Sequence, residues 1–114
     1  MIKKIQVGLD FTTTPIGRFR KDSQYSGQVF REDYLVPALN DSTIEKVIVD
    51  LSGVEGYGSS FLEEAFGGLI RAGFDYGALG KRLEIVSSDS LFDRFVVYAK
   101  SYIDAAVKAN VGNK

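Results

Sequence analysis

Between Val47 and Leu69 the chain gathers side chains able to do chemistry: Asp50, Glu55, Glu63 and Glu64 as carboxylates, Ser59 and Ser60 as hydroxyls. Gly53, Gly56 and Gly58 separate Asp50 from the serine pair. A glycine-rich loop that opens a helix presents free backbone donors, which attract phosphate. The spacing argues against a nucleotide. A Walker-type loop ends in lysine followed by serine or threonine, and no lysine precedes Ser59 or Ser60. A dinucleotide fingerprint needs a further glycine where Phe61 stands. Glu63 and Glu64 also place negative charge in the first helical turn, where it complements the helix dipole and opposes an anion.

Enzyme chemistry fares no better. Ser59 or Ser60 as nucleophile would need a base, and the motif supplies no lysine. The chain has no histidine and no cysteine. That excludes Ser-His chemistry within one chain, thiolate metal sites, cysteine nucleophiles and disulfides. Adjacent glutamates on a helix face different directions and make a poor acid/base pair. No catalytic group, metal or cofactor is expected. Ser60 and Glu63 have instead the spacing of a capping box, in which each satisfies a backbone donor at the helix start. An exposed serine there also suits phosphorylation, which adds about −1.5 to −2 charges. Outside this stretch, Arg18 and Arg20 flank Phe19 and are candidates for an anion or partner contact.

The elements that must position these groups read as an α/β domain. Val47, Ile48 and Val49 open a strand over 45–51 that is apolar on both faces, as a central strand should be. Serine-led helical spacing follows from Ser60 to Ala72, with Leu62, Phe66, Leu69 and Ile70 on its apolar stripe. Gly67 and Gly68 inside it cost roughly 1 kcal/mol each relative to alanine, a loss that close approach of another backbone would offset. Upstream, Ile5, Val7 and Leu9 alternate like a strand, with Lys3 and Lys4 guarding its edge. Residues 12–26, broken by Pro15 and Gly17, read as a loop or irregular hairpin. Helical spacing runs from Ser26 to Leu39, where Pro37 should end or kink it. Residues 73–81 read as a glycine-rich loop, and 82–87 as a further strand. Ser90 and Asp93 have capping-box spacing before the longest helix, which carries Phe92, Phe95, Val96, Ala99, Tyr102, Ile103, Ala106 and Val107 inward and stops at 110–112. The 45–51 and 82–87 strands, joined through a helix, should be parallel.

Length and composition set the frame. A chain of 114 residues, 45% hydrophobic and 25% charged, is one ordinary domain spanning 1–114. Fourteen basic against fifteen acidic residues leave a net charge of −1, so nucleic acid and anionic membranes are not favoured partners. No apolar run is long enough to span a bilayer and no signal-peptide pattern opens the chain, which points to the cytoplasm.

Asp50-Leu51-Ser52 followed by Ser59-Ser60 resembles the STAS domains of bacterial anti-sigma factor antagonists. A closer similarity is to a STAS-like family of unknown function. It rests on Gly17-Arg18, Ser26-Gly27, Phe30-Arg31-Glu32-Asp33 and the run from Gly53 to Leu69. The resemblance implies a mixed sheet of about four strands backed by helices. It also implies a regulatory protein-protein interaction module. Its partner would be an ATPase-fold kinase or anti-sigma-like regulator, docked on Gly56, Tyr57, Gly58, Ser59, Ser60, Phe61, Glu63 and Glu64. Ser60, or its neighbour Ser59, would be the phosphorylated position. Gly58 replaces the family's acidic residue before the serines, and Phe61 the glycine after them, so the phosphoacceptor's surroundings differ. The alternative reading is a small-ligand or nucleotide site using the same loop with Arg18 and Arg20.

Overall fold

The computed structural model describes residues 1–112, with side chains through 110. The β-branched run at Val47, Ile48 and Val49 forms β2 (Lys46–Asp50), with β1 (Ile2–Gln6) on one side and β3 (Leu83–Val86) on the other. Both pairings are parallel, and the register aligns Ile5, Val49 and Ile85 across the sheet. β2 is the central strand. Among the described residues the sheet has three strands, all parallel, and not the mixed sheet of about four that the resemblance implied.

The missing strand has a local cause. After Gln6 the chain leaves the sheet through a π turn, Val7–Phe11, closed by the Thr12 N–H donating to the Val7 carbonyl at 2.9 Å. Leu9, expected on the buried face of a strand, is 81% exposed. Beyond it, Pro15 offers no ladder donor, and Gly17 adopts a φ of 88°, which no extended strand accommodates. Lys3 and Lys4 lie within the edge strand itself, both exposed, where they blunt edge pairing.

Parallel neighbours need crossover connections. The first contains α1, residues 27–39, started by the Ser26 hydroxyl accepting from the Val29 N–H at 3.2 Å. It is α-helical over Gly27–Phe30, widens to a π turn over Arg31–Leu35, and closes as α-helix over Val36–Leu39. Pro37 does not end it at once: the helix widens just ahead of the ring and continues two residues beyond. The second crossover contains α2, residues 59–71, likewise widened to a π turn over Glu63–Gly67.

That crossover also contains α3, Tyr76–Arg82, where a loop was expected. Its cap is Asp75, whose carboxylate accepts from the Ala78 N–H at 3.0 Å and outweighs the unfavourable Gly77 and Gly80. Arg82, at its end, donates to the carbonyls of Leu39, Asp41 and Ile44, tying α3 to the C-terminus of α1.

After β3 a short 3-10 turn, Ser90–Phe92, leads into α4, Asp93–Gly112. The expected Ser90–Asp93 capping box does not form. Asp89 supplies the cap by accepting from the Leu91 N–H, and Asp93 accepts from the Ser87 hydroxyl. α4 runs through the expected stop at 110–112 to the limit of the described residues. It buries Phe95, Ala99, Ile103 and Ala106 as its stripe required. These side chains join Phe30, Leu35, Phe61, Phe66 and the inward sheet residues in one core. Among the described residues no helix is long and apolar enough to cross a membrane.

Candidate functional site

The strand end, the glycine loop and the start of α2 form one surface above the C-terminal end of β2. Asp50 is 2% exposed, yet its carboxylate has partners. It accepts from the Ser52 N–H at 2.9 Å and the Ser88 N–H at 3.3 Å. Burial by itself would raise the Asp50 carboxyl, but these donors outweigh it and hold the group below its usual range. Ser52 returns the tie, its hydroxyl accepting from the Asp89 N–H at 3.0 Å. Asp-Leu-Ser therefore staples the end of β2 to the segment after β3. Neither Ser88 nor Asp89 stood out as part of this site from sequence. Their signal was positional, because they lie two and three residues past the end of β3, beside Leu51 and Ser52 just past the end of β2, and adjacent parallel strands end side by side.

The loop is anchored twice more. The Glu55 N–H donates to the Thr13 carbonyl at 2.8 Å. The Tyr57 hydroxyl donates to the Leu51 carbonyl at 2.7 Å, while its ring packs on Phe95 and Phe61. Burial, followed by the nearby Asp50 charge, pushes the Tyr57 phenol well above its usual value, so it remains a neutral donor.

On this anchored backbone the serines stand free. Gly58, in extended conformation, is the N-cap of α2, and no side chain caps the helix. The Ser60–Glu63 capping box is absent. Ser59 and Ser60 are exposed, and their hydroxyls lack the cap partner the spacing suggested. Ser60→Ala should therefore change the unfolding free energy by less than about 0.5 kcal/mol, as for an uninvolved surface position. A working cap would cost about 1 kcal/mol. Urea unfolding distinguishes the two.

Glu63 and Glu64 are not a solvated first turn. Arg31 donates to a Glu64 carboxylate oxygen at 2.7 Å and to the Glu64 main-chain carbonyl. Arg71 takes both Glu63 carboxylate oxygens, at 2.7 and 2.9 Å. Arg18 bonds Glu63 and reaches Glu64 at 3.3 Å. The two glutamates share one cage, although neighbours on a regular helix diverge; they open the π turn of α2, where the helical winding is altered. The Arg71 hydrogen bond foremost, with that of Arg18, outweighs burial and keeps the Glu63 carboxyl below its usual range.

Gly68 explains part of the fit, since a Cβ there would overlap the Arg31 guanidinium. At Gly67 a Cβ would meet the Glu63 carboxylate and approach the Tyr102 carbonyl to 3.2 Å, so the backbone proximity expected of both glycines is found at Gly67, while Gly68 makes room for a side chain. Arg31 and Arg71 were not recognised as members of the site. The Phe30-Arg31-Glu32-Asp33 motif was the available signal for Arg31; Arg71, at the end of α2, had none.

The expected docking residues thus divide. Gly58, Ser59 and Ser60 are exposed, and Gly56 and Tyr57 are half-buried. Phe61 and Glu64, at 1% and 7% exposure, lie beneath the surface and cannot offer their side chains to a partner. Glu63 is tied into the cage. The candidate anion-binding arginines are engaged too: Arg18 by the glutamates, Arg20 by Glu32 at 3.1 Å and Asp33 at 2.8 Å.

A parallel α/β sheet thus ends in Asp-Leu-Ser beside a serine-bearing helix start. The family model for the STAS-like domain of unknown function (DUF4325) matches residues 26–91, and the chain belongs to that family. No curated protein and no solved structure matches it. The matched span runs from the cap of α1 into the 3-10 turn after β3, and so contains the Asp50, Ser52, Ser88 and Asp89 staple and, of the cage, Arg31, Glu63, Glu64 and Arg71, while Arg18 and Thr13 lie before it.

Proposed function

We propose that this protein is a non-enzymatic regulatory module that docks a partner protein on Gly56, Gly58, Ser59 and Ser60. One serine of the pair is the modifiable position. The observation that carries this reading is the serine pair itself: exposed and outside the core, without the expected cap bond, yet mounted on a loop secured by Asp50, Glu55 and Tyr57. Such rigidity has a use in recognition, because a pre-organised surface loses less entropy on binding.

A phosphate on either serine would stand where the helix dipole favours negative charge. Glu63, one turn along α2, is already neutralised by Arg18 and Arg71 and would oppose that phosphate less than a free carboxylate. The similarity to anti-sigma factor antagonists makes an ATPase-fold kinase the favoured partner.

Affinity capture from the source cells, with ATP present, tests the reading. Wild-type protein should retain an ATPase-fold kinase and gain the mass of one phosphate on Ser59 or Ser60. Ser60→Asp should retain at least about tenfold less kinase, equivalent to about 1.4 kcal/mol of binding. Equal capture by both proteins removes the loop from the interface.

A further inference from the structure

The handedness of parallel crossovers determines which sheet face their helices cover. Here the strand order is β1-β2-β3, so both crossovers advance in the same direction and place their helices on the same side. The core agrees. Among the described residues, α1, α2, α3 and α4 all send buried side chains into the single cluster that contains Ile5, Val49 and Ile85.

The alternate strand positions form the other face: Ile2, Lys4 and Gln6 from β1, Lys46, Ile48 and Asp50 from β2, Glu84 and Val86 from β3, with Asp50 at its end buried under the loop it staples. Ile2 is 62% exposed, and Ile48 and Val86 are half-buried without joining the core. Purely parallel sheets occur almost only with both faces covered. Among the described residues this one lacks its second cover.

The charges indicate what fits there. Register places Lys4, Ile48 and Glu84 in one row across the sheet. Turning a second copy over about a two-fold axis along β2 sets Ile48 against Ile48. It also sets each Lys4 against the other copy's Glu84, so the ion pair forms twice, as a self-complementary interface requires, and these two pairs oppose the single like-charge approach of Lys46 to Lys46 on the axis, where each lysine keeps its own Glu84 at 3.7 Å. An axis across the strands would oppose Lys4 with Lys4 and Glu84 with Glu84. Lys46 already lies 3.7 Å from Glu84 within the chain, but both side chains remain nearly half exposed, leaving the carboxylate open to a second cation.

We propose that the bare sheet face is the interface of a homodimer, with two sheets stacked about 10 Å apart and Ile48 at the centre. The interface is separate from the serine loop beyond the end of β2, so dimerisation and partner docking can coexist.

Sedimentation equilibrium of the full chain tests the proposal. The wild type should approach twice its 12.5 kDa monomer mass at micromolar concentration. Lys4→Glu and Glu84→Lys should each weaken association by about tenfold or more, since each creates two like-charge oppositions per dimer. The double variant Lys4→Glu/Glu84→Lys should recover the dimer, which an unfolded or merely destabilised chain could not do. A wild type that remains monomeric, leaving the face to another protein or a further segment of the polypeptide, overturns the proposal. So does a dimer indifferent to both reversals, or one that the double variant fails to restore.

Discussion

Arg31→Ala should lower the unfolding free energy by about 3–5 kcal/mol, the usual cost of removing one member of a buried ion pair. The Arg31 side chain is only 10% exposed and Glu64 only 9%, so water does little to replace their interaction. Removing the guanidinium leaves the Glu64 carboxylate buried with the weaker contacts of Arg18 and Arg71, at 3.3 and 3.4 Å. It also removes the donor to the Glu64 main-chain carbonyl and opens a gap where Gly68 had made room for a cation. Glu64→Gln, which keeps the shape and a hydrogen-bonding oxygen, should cost less than Arg31→Ala. Chemical denaturation of the two variants checks both the magnitude and the order. Equal, small losses would mean that the cage adds little to stability.

Phe61→Ala should cost about 3–5 kcal/mol, the range for deleting a buried aromatic ring. Phe61 is 1% exposed and packs with Phe11, Phe30 and Tyr57. The substitution removes a ring that joins the π turn after β1, α1 and the glycine loop. Tyr57 loses packing at the same moment, so the loop should loosen together with the core. Thermal unfolding followed by near-ultraviolet circular dichroism reads both effects. The contrast with Ser60→Ala is informative: neighbouring residues, one essential to packing and the other free of it. A partner that binds the surface should notice Ser60; the fold should notice Phe61.

The course of the chain could be read where a single segment carries its own pattern. Val47, Ile48 and Val49 announced a central strand, and the stripe from Phe95 to Ala106 announced α4. Ile48 marks the limit of that reading, because its apolar side chain identified the strand while the cover for its face does not come from the described chain. Leu9 misled because alternation continued past Gln6 while the backbone turned out of the sheet. The π turns at 31–35 and 63–67 have no composition of their own, and their effect on Glu63 and Glu64 could not be inferred from regular helical spacing. Long-range partners were the other hidden part. Arg31 and Glu64 are separated by 33 positions, and only the packing of α1 on α2 makes them neighbours. The glycine-rich motif was prominent in the sequence, but much of what it encodes is this helix contact. The serines at its centre are what remains after that structural work is subtracted.

The parallel order of the strands also bears on how the molecule comes into being. Ile2 pairs with Lys46 and Val47 with Leu83, so no strand finds its neighbour across a short hairpin. Each ladder must wait for a distant part of the chain, and the entropy of closing that loop is lost before its hydrogen bonds are gained. Contacts of such separation place the domain among slower folders than helical proteins of its size. Until the outer strands arrive, β2 has both edges unpaired, and its Val47, Ile48 and Val49 are the segment most exposed to pairing with the wrong chain. The central strand of the finished protein is therefore its most vulnerable stretch during synthesis.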